Sequence, residues 1–263
     1  MADQAPPERQ APPERQAPPE LHLPPSIAAA WGFAGRLAKG PRPALNLDKI
    51  ISAAMAVADA EGLDALSMSR VAGQLGTATM SLYRYIAAKG ELLDLMQDAA
   101  YGPPPEVPDE QLDWRSGLTL WATTQLARLR RHPWTLRVPI SGPPITPNQI
   151  RWMEFGLHTL RDTGLTPGEK LSTILLVSGF VRNWATLTTD LGMTNGTGQI
   201  PDTMLHYATN LRLLTNSGHF PELTAVIASG VLDDEDMTDD DYSFGLERIL
   251  DGIGVLVRSR AAA

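Results

Sequence analysis

The nineteen residues from Ser67 to Tyr85, SMSRVAGQLGTATMSLYRY, constrain the fold more than any other stretch of the chain. Ser67 is a helix-capping type, and Val71, Ala72 and Leu75 follow at helical spacing up to Gly76, which permits a tight turn. Beyond the turn, Ala78, Leu82 and Ile86 recur every fourth residue, which predicts one buried face on a second short helix. Two helices this short need a partner across them. The flanks supply it: Asn46 caps a helix with Leu47, Ile50, Ile51, Ala54, Val57 and Ala58 on one face, and Gly62 ends it. Leu63 and Leu66 carry the apolar signal onward. A further helix from Lys89 to Tyr101, apolar through Leu92, Leu93, Leu95 and Met96, stops at Gly102 and three prolines, which marks a domain boundary.

Beyond that boundary strand patterning is nearly absent and helix punctuation is legible. Trp114, Leu118, Trp121, Leu126 and Leu129 predict a helix from about Leu112 to Arg131. Thr146-Pro147-Asn148-Gln149 and Thr166-Pro167-Gly168-Glu169 each read as a cap, a proline at the first helical position, and Gln or Glu three residues on. Their helices finish near Gly164 and Gly192. A loop from Met193 to Gly198, helices over about Asp202–Ser217 and Pro221–Ser229, and a last helix from Thr238 to about Arg260 complete an all-α chain. The expected division is a proline-rich tail over 1–25, a short helix and basic arm over 26–45, a helical domain over 46–102 and a larger helical domain over 110–263.

The tail carries QAPPER at Gln4 and again at Gln10, then QAPPE from Gln16, which favours a disordered, polyproline-like segment. A proline-rich docking segment is the other reading. Lys39 and Arg42, in KGPRP, read either as part of a plain linker or as an arm that touches phosphate or the minor groove. The formal charge of -8 does not exclude nucleic acid, because seven acids crowd between Asp233 and Asp241. From Arg36 to Leu93 there are seven basic residues against five acidic ones, a local charge of +2. Asp239 to Asp241 fall in the first turn of the last helix, where they complement its dipole. No apolar run approaches the roughly 18 residues of a membrane span, and no signal peptide begins the chain, so a cytoplasmic location is expected. There is no cysteine, hence no disulfide or thiolate chemistry.

Two helices meeting at a glycine, backed by a third, are the pattern of a helix-turn-helix, whose second helix enters the major groove. Thr79, Met80 and Ser81 are placed for base edges. Tyr83, Arg84, Tyr85 and Lys89, with Ser67 and Ser69 on the preceding helix, suit phosphate. The tyrosines also suit the edge of a small core.

The run from Leu45 to Tyr101, with AEGLDALSMSRVAGQLG and then TMSLYRYIAAKGELLDLM, closely resembles the DNA-binding domain of the TetR family of bacterial transcriptional repressors. LYRY followed by KGELL is its most specific part. The resemblance implies a three-helix DNA-binding domain, a larger all-α ligand-binding and dimerisation domain, and a homodimer on a double-stranded operator. The family's contact positions fall on Ser67, Ser69, Thr79, Met80, Ser81, Tyr83, Tyr85 and Lys89. The second half is similar to the tetracycline-repressor type through its helix order and FGLERILDGI, Phe244 to Ile253. Members that bind a tetracycline-magnesium chelate carry a histidine before a Thr-Arg-Pro loop. Here the comparable RVPISGPPIT has Pro139 and Ile140 and no histidine, so neither that chelate nor any other cofactor is expected.

For a small apolar or amphipathic effector, Trp114, Trp121, Trp134, Trp152, Phe155 and Trp184 supply aromatic surface, with Met153 beside them. His158, Arg182, Asn183 and His206 supply polar anchors. By type, each of these is more often a core residue than a pocket residue. The helices over Glu169–Leu191 and Thr238–Val257 are apolar around much of their circumference and call for a four-helix interface with a second copy. No phosphate loop, His-Glu-x-x-His or Gly-x-Ser-x-Gly motif occurs, and the five histidines lack ligand spacing, so neither catalysis nor a metal site is expected. The expectation is a ligand-responsive repressor. The alternative is a small-molecule-binding or enzymatic helical protein whose N-terminal domain serves protein interaction.

Overall fold

The structure, a computed structural model, describes residues 22–33, 45–108, 112–193, 206–216, 218–233 and 237–262. The proline-rich repeat, Lys39, Arg42, the loop after Met193 and the acids Asp234 to Asp236 lie outside the described residues. Among the described residues every regular element is helical. The helices are α1 (Pro25–Ala30), α2 (Leu47–Glu61), α3 (Met68–Gln74), α4 (Thr79–Leu82), α5 (Lys89–Tyr101), α6 (Trp114–Arg131), α7 (Pro147–Thr159), α8 (Pro167–Asp190), α9 (Tyr207–Leu214), α10 (Pro221–Ala228) and α11 (Met237–Ala261).

The first core forms where α2, α3 and α5 converge. Ile50, Val71, Leu82, Ile86, Leu92 and Met96 are wholly buried there. Local signals set its ends as the residue types dictate. Asn46 Oδ1 accepts the Lys49 amide at 2.9 Å, Ser67 Oγ accepts the Arg70 amide at 3.1 Å, and Gly62 and Gly76 take positive φ of 82° and 62°. This core also takes in Trp134 and Val138, so the 3-10 turn Pro133–Arg137 after α6 packs on the N-terminal domain. The Trp134 indole N–H donates to Asp59 Oδ1 on α2 at 2.6 Å, and His132 Nδ1 meets the same oxygen at 2.8 Å. The first core thus draws residues from both sides of Gly102, and these contacts tie the two parts of the chain together.

The second core lies among α6, α7, α8 and α11, around Leu118, Trp121, Trp152, Val177, Val181 and Leu250. Close approach of α7 to α6 on one side and to α8 on the other depends on two glycines. A β-carbon at Gly117 would sit 2.6 Å from Thr159 Cγ2, and one at Gly156 would sit 2.5 Å from Ile174 Cδ1. Thr166 and Glu169 form a capping box at α8, as the sequence pattern predicts. The same pattern fails at α7: Thr146 is buried with its hydroxyl unpartnered, and the cap comes from elsewhere. Asp98 of α5, 7 % exposed, accepts the amides of Asn148 at 2.8 Å and Gln149 at 3.1 Å.

Candidate functional site

α4 is a single turn, shorter than its apolar spacing suggests. The chain tightens after Leu82, where the Tyr85 amide bonds the Leu82 carbonyl three residues back at 2.9 Å. Ile86 still reaches the core, but Ala78, expected to be buried, is the exposed N-cap position. What remains outward is a compact polar face. Ser67 and Ser69 are exposed at the start of α3 with their hydroxyls 3.1 Å apart, and Met80 projects at 74 % exposure. Thr79 and Ser81 flank it half-buried, and Tyr83 and Arg84 are exposed on the turn beyond.

Lys89 is exposed in the first turn of α5, where the helix dipole disfavours a cation. No acidic residue occupies the first turn of α3 or α4. The opening amides of α3 therefore add positive potential to the same face.

Tyr85 departs from its expected phosphate role. It is half-buried, packs on the N-terminal core and donates its hydroxyl to the Leu45 carbonyl at 2.9 Å. Arg70, absent from the sequence-derived set, is exposed beside Ser67 and Ser69 and paired with Glu61. The hydrogen bond with Arg70 lowers the Glu61 carboxyl below its usual range, and Glu61 raises the guanidinium. The pair holds the guanidinium against the end of α2.

The candidate effector residues do not converge on one site. Phe155 and His158 line a cleft of about 530 Å³ with Thr159, Arg161, Leu112 and the segment 105–108. Trp121 and Trp152 are instead core: their rings meet edge to face at 6.4 Å. Their indole N–H groups donate to the carbonyls of Trp152 at 2.9 Å and Gly102 at 2.8 Å. Trp134 belongs to the other core. Arg182 donates to the Leu136 carbonyl at 3.2 Å, and Trp114 packs half-buried near Gly254. Trp184 joins Phe180 and Tyr242 in an aromatic cluster, and His206 is exposed ahead of α9. The linker side of the cleft, Pro105 to Pro108, carries no periodic signal by which a sequence reading could find it.

Residues 107–257 match the family described as tetracyclin repressor-like, C-terminal domain, and residues 50–96 match bacterial regulatory proteins, tetR family. The chain belongs to the TetR family. Among TetR-family relatives, it is 41 % identical over 247 residues to the HTH-type transcriptional repressor DrrR1 of Streptomyces coeruleorubidus, covering 89 % of this chain and 87 % of that one. It is 29 % identical to apo ActR of Streptomyces coelicolor, with a TM-score of 0.68 over 85 % of this chain and all of that one. ActR in complex with actinorhodin aligns with a TM-score of 0.68 at 28 % identity, covering 83 % and 99 %. The matched N-terminal residues run from α2 into α5 and include the exposed face built from Ser67 to Lys89.

Proposed function

We propose that this TetR-family chain is a transcriptional repressor that binds a pseudo-palindromic operator as a homodimer and leaves it when a small amphipathic effector occupies the regulatory domain. The observation that carries the DNA-binding half is the face of α3, α4 and the start of α5. Its inward residues are spent on a tight core, while Ser67, Ser69, Met80, Tyr83 and Lys89 are left exposed together. Two such faces in a two-fold dimer reach successive major grooves when set about 34–36 Å apart. DNA binding also puts the work of the chain in the cytoplasm.

The effector half rests on the cleft under α7. Phe155 offers a ring face, and His158 and Arg161 stand at its polar edge. ActR is solved with actinorhodin, which makes oxygenated aromatic compounds the class to try first. Selection from random duplexes should enrich a two-fold related site. Lys89→Ala should weaken binding on every sequence and reduce the salt slope by about one unit. Enrichment without two-fold symmetry, or a salt slope that Lys89→Ala leaves unchanged, would sink the proposal. Actinorhodin should release wild-type protein from the selected site and release Phe155→Ala poorly; equal release would move the effector site away from this cleft.

A further inference from the structure

α1 lies outside both matched segments, which begin at residues 50 and 107. It is nevertheless built into the molecule. Ile27 is wholly buried in the N-terminal core, Ser26 is 1 % exposed with its hydroxyl bonded to Glu91, and Leu23, Ala30 and Trp31 pack around them. From that seat the Trp31 indole N–H donates at 2.8 Å to the carbonyl of Ile145, 114 residues along the chain. Ile145 belongs to the segment 139–146, which leads into α7. α5 holds the same segment from within the N-terminal domain: Ser141 Oγ donates to Asp94 at 3.3 Å, and Asp98 caps α7 one turn further along.

We infer that α1 is a strap across the joint between the two domains, fixing the angle of the DNA-binding domain to α7. A helix of six residues does not persist alone in water, so α1 is helical because it is docked. Docking and release are then a two-state event, the kind of element through which one part of a protein can bias another. α7 also lines the cleft proposed for the effector. A shift of α7 must carry the strap with it or detach it, and either outcome changes the freedom of the DNA-binding domain. The use made of that angle rests on the proposed function; the strap itself does not.

The chain has no cysteine, so Ser52→Cys on α2 and Glu154→Cys on α7, both exposed, accept a pair of dyes in the full-length protein. Single-molecule energy transfer, with labelled chains diluted in unlabelled protein, should show one narrow population. Trp31→Phe keeps an aromatic side chain, smaller than the indole, and removes the donor. It should broaden that population and speed hydrogen exchange across 139–149 about fivefold, the loss of one net hydrogen bond. Ile27→Asp, which expels the whole helix, should do so more strongly. Amides of α2 should stay protected in Trp31→Phe. An unchanged population and unchanged exchange in both variants would overturn the strap. So would loss of α2 protection in Trp31→Phe, because α1 would then be only a plug in the core. Neither readout involves DNA, so failure of the strap and failure of the repressor reading are told apart.

Discussion

At the first turn of α8 a single carboxylate serves two helices. Glu169 Oε2 accepts the Thr166 amide at 2.8 Å and the Thr166 hydroxyl at 3.0 Å, while Oε1 takes the Arg260 guanidinium of α11 at 3.2 Å. The Arg260 hydrogen bond first, and then the Thr166 amide, hold the Glu169 carboxyl down at about 2 against an ordinary value of 4.5. The folded chain therefore binds this proton less readily than the unfolded chain. Its stabilisation is complete above pH 4.5 and is lost as pH falls through 2. Glu169→Gln should be less stable than wild type at neutral pH, and the gap between their urea midpoints should close across that window. A gap of constant size down to acid pH would show that the charge contributes nothing. Residues also decide how far aromatic side chains can be read from sequence. Trp121, Trp152 and Trp134 look like pocket residues by type, but each spends its indole N–H inside the fold, on a carbonyl or on Asp59. Nothing in the local sequence announces those partners, which lie 31, 50 and 75 residues away.

Between elements, the joint of α5 with α7 is the contact most open to test. Asp98 is nine-tenths buried on a helix whose other inward residues, Leu92, Leu95 and Met96, are apolar. Its carboxylate takes two α7 amides, and its own carbonyl accepts the Asn148 side-chain amide at 3.1 Å. Asp98→Ala leaves both amides without that acceptor and should cost about 1–3 kcal/mol in a denaturant titration. Asp98→Asn should recover part of the loss, and no change in midpoint would mean that water caps α7 equally well. The same joint marks where sequence reading stops. α5 spans the residues its pattern predicts, Lys89–Tyr101, because its apolar period and its stop at Gly102 are local. The helix after Thr146 begins where predicted, but its cap is fifty residues away. α4 shows the same limit: its helical span stops at Leu82, and Tyr85 just beyond it donates its hydroxyl to the carbonyl of Leu45, a partner forty residues back that no local pattern announces.

For the whole molecule, the unfinished surface is a flank of α8 and α11. Leu171, Leu175, Leu176 and Leu187 are 49, 75, 54 and 48 % exposed on α8, with Phe244 at 63 % and Val255 at 60 % on α11. The inner sides of the same helices are already committed. Phe180 stacks on Tyr242 at 5.4 Å, in a place kept clear by Gly245, where a β-carbon would lie 2.8 Å from the Phe180 ring. So many large apolar side chains on two long neighbouring helices are costly to leave in water. A second copy set against them would bury both flanks as a four-helix interface. Leu175→Asp places a charge at the most exposed leucine of α8, where it disturbs no internal contact in the monomer and enters the dimer unpaired. It should raise the dimer dissociation constant on the order of a hundredfold, read by sedimentation over a concentration series, while helical circular dichroism stays at the wild-type value. The variant should also lose the two-fold site and keep only weak, half-site binding, because each chain carries one DNA-binding face. A variant that sediments like wild type would place the interface elsewhere on the molecule. A variant that dissociates yet holds the full site with unchanged affinity would separate DNA recognition from pairing altogether.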